Sequence, residues 1–475
     1  KTHKNRFVSN PLRPIPLLLA LSLCCSCSQQ GRLLGAPTAD LGQSAGIDVA
    51  FNHRRGNRYL SPLTDEWRNG DDLEQLLIEG IDATENSVEM AVQELTLPEV
   101  ARALIRAHRR GVKVQIVFEN SYSTPWSEQQ LSHLPKHQRH RWNRLNQLAD
   151  ANGDGITTPD EAHQGDAVAL LKEASIPMLD DTEDGSRGSG LMHHKFVILD
   201  RNIVVTGSAN FTSSGIHGDA DDTTTRGNVN HLLRLESAKL AHIFHIEFKE
   251  LWGDGPGGAK NSRFGRGKES RGVQRAKVGQ SLVEVLFTPH AKDDAANGLN
   301  WIDSFLTKAK QNIDMALFVF SAQRLADVLE EKAKQGLKIR LLADRGFASR
   351  SYSEVLDLLG VALPDQNCKL EKDNQPFEIA LRSVGVPRLA RGDKLHHKFA
   401  VIDNKTIITG SFNWSPSAAH TNDETLLVIH SPKIAAHFTR EMNRMWRNAE
   451  LGITQQLQQK LDRRRAKCGS GSERT

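Results

Sequence analysis

The sequence predicts an α/β protein built from two like halves. Three observations lead there. The segment NSVEMAVQELTLPEVARALIRAHRRGVKVQIVFE from Asn86 is matched by NIDMALFVFSAQRLADVLEEKAKQGLKIRLLAD from Asn312. The string MHHKFVILD, Met192–Asp200, returns as LHHKFAVID, Leu395–Asp403. Each half then reaches a segment carrying a Phe and a later Trp at the same spacing, Phe244 with Trp252 and Phe438 with Trp446. Both long segments read as apolar strand, loop, amphipathic helix, glycine stop and second apolar strand, with Gly111 and Gly336 closing the helices. Strands alternating with helices imply mixed or parallel sheets covered by helices.

The elements follow in chain order. A length of 475 residues allows two to three domain equivalents, each with a real core. The net charge of +4 neither demands nor excludes a polyanionic partner. Residues 1–30 place Lys1, Lys4, Arg6 and Arg13 before the apolar run Ile15–Cys27, which reads as a secretory signal and is short for a membrane span. Its cysteines resemble a bacterial lipoprotein signal, with Cys27 as the lipidated residue. That implies a secreted or cell-envelope protein attached to a membrane through Cys27. The first domain is expected over 45–253 and the second over 281–450. Between them, 254–280 is rich in glycine and basic residues and predicts a flexible tether, with seven Lys/Arg against one Glu from Ala259 to Lys277. Residues 451–475 predict a mobile basic tail. Outside the signal only Cys368 and Cys468 remain, enough for one bridge in an oxidising compartment.

The halves differ in length at one place. Gly111 and His193 lie 82 positions apart, Gly336 and His396 only 60. The surplus, an insertion over about 137–172, contains DANGDGITTPDE. Asp150, Asn152 and Asp154 fall at positions 1, 3 and 5 of a loop with Gly155 at 6 and Glu161 at 12. That resembles an EF-hand loop and predicts calcium on Asp150, Asn152, Asp154 and Glu161, since alternate oxygens wrap a hard cation. Thr157 stands at position 8, usually isoleucine, and no second loop is visible to pair with it.

The repeated string carries the chemistry. On a strand, residues two apart share a face, so His193 lies beside Lys195 and His396 beside Lys398. Asp200 and Asp403 start turns, and return strands lead to GSAN, Gly207–Asn210, and GSFN, Gly410–Asn413. Lysine offers fixed charge to a phosphate oxygen. Serine and asparagine add hydrogen bonds. Histidine can attack phosphorus or move a proton near neutral pH. Two facing sets supply a nucleophile on one side of a phosphodiester and an acid on the other.

Both strings, with the GSxN segments in register, identify the chain as a member of the phospholipase D superfamily over roughly residues 58–450. The resemblance implies two pseudo-symmetric α-β-α domains with mixed sheets packed face to face and the site at their interface. It implies hydrolysis through a phosphohistidine with no metal needed for catalysis, His193 as nucleophile and His396 as acid. Lys195, Lys398, Asn210 and Asn413 would hold phosphate oxygens, with Ser208 and Ser411 supporting them and Asp200 and Asp403 structural. Glu424, in TNDETLLVI, would contact a catalytic histidine. The matching GNVNHLLRL sets Asn228 against Asn422 and Asn230 against Glu424, so one half lacks the carboxylate. A tandem member completes its site as a monomer. Among substrates, the wording resembles nuclease and cardiolipin-hydrolase types. The basic linker favours nucleic acid, the lipoprotein signal favours phospholipid, and acidic loops after Asp180 and Gly218 oppose nucleic acid. Nucleic acid is the first expectation and phospholipid the second. A non-catalytic phosphate-binding module is a remote third.

Overall fold

The structure is a computed structural model, described over residues 41, 43–182, 190–219 and 222–469. The signal segment with Cys27 lies outside the described residues. Seven strands form the first sheet, in the order Ile47–Phe51, His231–Glu236, Ile203–Gly207, Lys195–Leu199, Ser87–Val92, Lys113–Phe118, Met178–Asp180. Nine form the second, in the order Gln274–Val278, Ser281–Thr288, Glu424–His430, Thr406–Gly410, Lys398–Ile402, Asn312–Leu317, Lys338–Ala343, Val384–Val386, Glu450–Leu451. Both sheets are mixed. Ser87–Val92 runs parallel to Lys113–Phe118 and antiparallel to Lys195–Leu199, and the second half repeats this.

The parallel pair needs a crossover, supplied by helix Pro98–Arg109 in one half and Gln323–Lys334 in the other. Both end as expected. Gly111 and Gly336 take φ of +92° and +82°, a conformation open to glycine. The outer face of each sheet buries its own core. The inner faces share one. Phe51, Phe196, Phe244, Phe248, Phe287, Phe399 and Phe438, drawn from both halves, belong to a single apolar cluster. Phe51 meets Phe438 edge-on at 5.2 Å and Phe244 meets Phe287 at 5.1 Å. The Phe…Trp helix of each half, Ala238–Trp252 and Pro432–Trp446, packs against an edge strand of the other.

Two boundaries differ from expectation. Gln274–Val278 pairs with Ser281–Thr288, so the second domain begins inside the predicted linker. The predicted tail is also structured as far as Cys468. Glu450–Leu451 joins the second sheet, and helix Gln455–Cys468 buries Leu457 and Leu461. The bridge Cys368–Cys468 pins that helix, with Cα atoms 5.4 Å apart.

Candidate active site

Each string meets the other half before its strand begins. The His193 amide donates to the Asp423 carbonyl at 3.0 Å and the Asp423 amide to the Leu191 carbonyl at 2.8 Å. The mirrored pair is His396 to Val229 at 3.1 Å and Val229 to Lys394 at 2.8 Å. Each motif histidine is therefore hung on the segment that follows the other half's GSxN string.

This exchange decides the imidazole partners. His193 Nδ1 lies 2.7 Å from Glu424 Oε2, while His396 Nδ1 lies 2.9 Å from Asn230 Oδ1. Ser411 donates to the Glu424 carboxylate at 2.6 Å and Ser208 to the Asn230 carbonyl at 2.8 Å. The serines thus hold the groups behind the imidazoles, not the lysines and asparagines as expected. Their hydroxyls sit at the start of the return strands, within reach of the strand carrying Glu424 or Asn230.

Lys195 and Lys398 are 0% and 1% exposed. Lys195 Nζ donates to the His193 carbonyl at 2.8 Å and approaches Gln93 Oε1 at 3.4 Å, an oxygen that also accepts from Asn210 Nδ2 at 3.1 Å. Lys398 Nζ donates to the His396 carbonyl at 2.8 Å and to His396 Nε2 at 3.0 Å. It lies 5.0 Å from the Phe318 ring centre, and that ring packs against His396 at 4.6 Å. Gln93 and Phe318 were missed from sequence. Setting the halves in register gives their signal, because both stand one residue beyond matched strands. Asn413 sits on its GSxN turn with its Oδ1 buried and, among the described residues, no donor to it.

Burial dominates the electrostatics. It pulls the His193 pKa down to about 4, against the upward pull of Glu424. It pulls Lys195 down to about 7, again against Glu424, and Lys398 well below its usual range, with Lys195 adding repulsion. His396 is lowered by burial and then by Lys398, Lys195 and His193, so charges from both halves reach it. Burial alone would raise Glu424, but the His193 and Ser411 hydrogen bonds help hold it below the usual range. Glu94 also favours the Lys195 charge and Asp344 the Lys398 charge, but burial outweighs these carboxylates, so an anion bound between the lysines would favour the ammonium forms, and neutral His193 keeps its Nε2 lone pair.

Asp200 and Asp403 are structural. The Asp200 carboxylate accepts from the amides of Glu85, Asn86 and Ser87 at 2.7–2.9 Å, and Asp403 from Lys310, Gln311 and Asn312. Both start turns with two successive left-handed residues, Asp200–Arg201 and Asp403–Asn404. The second histidines point away, as alternation requires. His194 reaches Thr425 at 2.9 Å and Glu247 at 3.2 Å, and His397 reaches Glu441 at 3.2 Å.

The predicted tether is partly buried. Lys268, its side chain 5% exposed, contacts Glu247 and reaches Asp423 Oδ1 at 2.6 Å. Arg271 bonds Glu247 and Glu250 at 3.0 and 3.2 Å. Among the described residues, His194, Glu247 and Asp423 are the one metal-competent cluster of His, Cys, Asp or Glu, and the Lys268 ammonium supplies the cation there. The calcium loop is not gathered. Asp150 spends its oxygens on the Gly153 and Gly155 amides at 2.9 and 2.8 Å, Asn152 and Asp154 on amides two residues ahead. Glu161 closes a capping box on Thr158. These bonds build a turn and a cap, and Asp150, Asp154 and Glu161 do not form a metal-competent cluster in this structure.

Two α/β halves, each lending the other a partner for its buried histidine, define a tandem HxK protein of the phospholipase D fold. The chain belongs to the family described as cardiolipin synthase, PLD-like domain, whose model matches residues 77–252 and 302–446. It is 25% identical over 142 residues to a mitochondrial cardiolipin hydrolase of Chlamydomonas reinhardtii, covering 30% of this chain and 54% of that protein. It is 26% identical over 163 residues to a phospholipase D of Rickettsia conorii, covering 34% and 68%. The chain thus spans about half the length of that cardiolipin hydrolase. The fold matches phosphatidylserine synthase of Haemophilus influenzae with a TM-score of 0.52 at 12% identity, over 85% of this chain and 89% of that one.

Proposed function

We propose that the protein is a phospholipase D-type phosphodiesterase acting on phospholipid head groups. The observation that carries the chemistry is the unequal pairing, His193 with Glu424 and His396 with Asn230. A carboxylate on Nδ1 raises the basicity of the other nitrogen and stabilises the imidazole as it gains charge. His193 Nε2 attacks phosphorus, and the P–O bond to the leaving group breaks. His396, with only a neutral amide behind it, gives up its proton to the leaving oxygen. The substrate's negative charge between Lys195 and Lys398 offsets the repulsion that keeps His396 deprotonated in the free site. Water then attacks the phosphohistidine, His396 takes its proton, and His193 is released. Diester and water become monoester and alcohol. Lys195, Lys398, Asn210 and Asn413 stabilise the charge on the phosphoryl oxygens.

Phospholipid is preferred to nucleic acid for a physical reason. Lys268 and Arg271, part of the basic stretch that favoured nucleic acid, are spent on Glu247, Glu250 and Asp423. The cardiolipin hydrolase relatives and the lipoprotein-like signal lean the same way. The Cys368–Cys468 bridge supports an oxidising, cell-envelope location. The test is parallel hydrolysis of cardiolipin and phosphatidylglycerol vesicles, single- and double-stranded DNA and RNA, each with and without a calcium chelator. Lipid cleavage that survives chelation and is lost in both His193→Ala and His396→Ala is expected. Cleavage of nucleic acid alone overturns the substrate, and full activity in both variants overturns the enzyme.

A further inference from the structure

The internal repeat creates two equivalent places beside the two Phe…Trp helices, and the chain fills them differently. Beside Ala238–Trp252, linker residues Phe264, Lys268 and Arg271 pack in, and the two cations neutralise Glu247 and Glu250. In register, Glu441 stands for Glu247, but Arg444 stands for Glu250, so the charge at the second position is reversed. There the structure has a cavity of about 370 Å³ lined by His53, Arg55, Asn69, Arg226 and Arg444.

Its charge is not balanced from within. Arg444 is held by Glu441 through two hydrogen bonds of 2.7 and 2.5 Å, and Arg54 is taken by Asp71. Among the described residues, the Arg226 guanidinium bonds only a carbonyl, that of Asn69, at 2.6 Å, while its backbone amide donates to Asp393. Among the described residues neither Arg55 nor Arg226 has a carboxylate at salt-bridge distance. Burial and then Arg444 push the Arg226 pKa down, against a weaker upward pull from Tyr59 and Asp393, so the guanidinium groups of Arg226 and Arg444 repel one another across the space. His53 is fixed by the Gly227 carbonyl at 2.8 Å and kept neutral by burial and by the same two arginines.

We propose that this cavity is a second phosphate site, distinct in every lining residue from the catalytic set, and that it holds the oxyanion of a phosphate mono- or diester. Guanidinium forks match phosphate oxygens in geometry and charge, and an anion in the cavity would relieve the repulsion that Asp393, bonded to the Arg226 amide, offsets only in part. The source of the phosphate is suggested by the rim. Asn69 ends the ribbon Arg58–Leu60/Trp67–Asn69, whose opposed residues Leu60 and Trp67 are 49% and 62% exposed. Arg58 lies 5.8 Å from the Trp67 ring. An apolar pair flanked by arginines suits the interface of an anionic membrane. The site rests on no choice of substrate for the catalytic histidines.

Calorimetric titration of the full chain with inorganic phosphate is expected to resolve two sites. Arg55→Gln combined with Arg226→Gln should weaken one about ten-fold or more. The other should persist as the phosphate that competes with a small soluble diester, whose turnover stays unchanged. Asn69→Asp, on the exposed ribbon, should act in the same direction by placing a carboxylate at the cavity without removing a guanidinium. A single site in the parent, or two undiminished sites in both variants, overturns the proposal. Sedimentation with vesicles with and without phosphatidylglycerol assigns the source. Loss of vesicle binding along with the phosphate site marks a lipid head group, and loss of phosphate alone marks a soluble phosphate.

Discussion

Glu424 and Asn230 occupy the same place in the repeat, yet one can carry charge and the other cannot, and each serves the histidine of the opposite half. Glu424→Gln keeps a hydrogen-bond acceptor on His193 but removes the charge that stabilises the imidazole during attack. Its kcat should fall by roughly 10²–10⁴-fold with KM little changed. Steady-state kinetics on the proposed lipid substrate would show this, and a change confined to KM would refute it. The histidines and lysines together set the pH range. In the free enzyme His193 must be neutral, so kcat/KM should fall as pH drops through about 4. His396 must carry its proton and Lys195 its charge, so kcat/KM should fall as pH rises through the His396 pKa, which burial and the lysines hold well below the usual range, and further through about 7 as Lys195 loses its charge. Bound phosphate stabilises the ammonium, so the upper limb of kcat should lie higher than that of kcat/KM. Coincident upper limbs would show that the lysines gain nothing from the anion.

At the scale of elements, the linker shows where sequence reading fails. Glycines and cations predict a solvated tether because their partners are invisible locally, and Glu247 and Asp423 lie 21 and 155 positions from Lys268. Local pattern did reveal the crossover helices, the hairpin turns and both HxK faces, whose causes lie within a few residues. It also suggested calcium, at a turn and capping box whose oxygens in this structure accept from backbone amides. Exchange of Glu424 and Asn230 between halves depends on tertiary contact and had no local signal. Lys268→Met tests the linker. It leaves Glu247 and Asp423 short of a buried cation, and removing one member of such a set costs about 3–5 kcal/mol. Burial alone would raise the Glu247 pKa, but Lys268 and His194 outweigh it and hold it well below the usual range. That stability is therefore present above the unfolded carboxylate pKa and lost as pH falls. Denaturant titrations should show the variant's deficit at pH 7 shrinking in acid. A deficit independent of pH would mean that Lys268 acts through packing alone.

The whole molecule is a near-twofold object in which symmetry is broken at a few places. One shared core joins the inner sheet faces, so neither half presents a finished surface alone. Within that frame, what would distinguish nucleophile from acid in the proposed mechanism is the Glu424/Asn230 difference, seconded by Gln93 beside Lys195 and Phe318 beside Lys398. The roles should therefore be transferable. Asn230→Glu combined with Glu424→Asn places the carboxylate behind His396 and the amide behind His193, with Ser208 and Ser411 already positioned to bond either group. The covalent phosphate should then form on His396. Rapid quenching with substrate in excess, followed by mass spectrometry under alkaline conditions, would locate it. Phosphate on His193 in the parent and on His396 in the swapped variant is the expected pair of results. Phosphate on His193 in both would place the choice in the Gln93/Phe318 difference or in the direction from which substrate enters, and would remove the carboxylate as the element that breaks the symmetry.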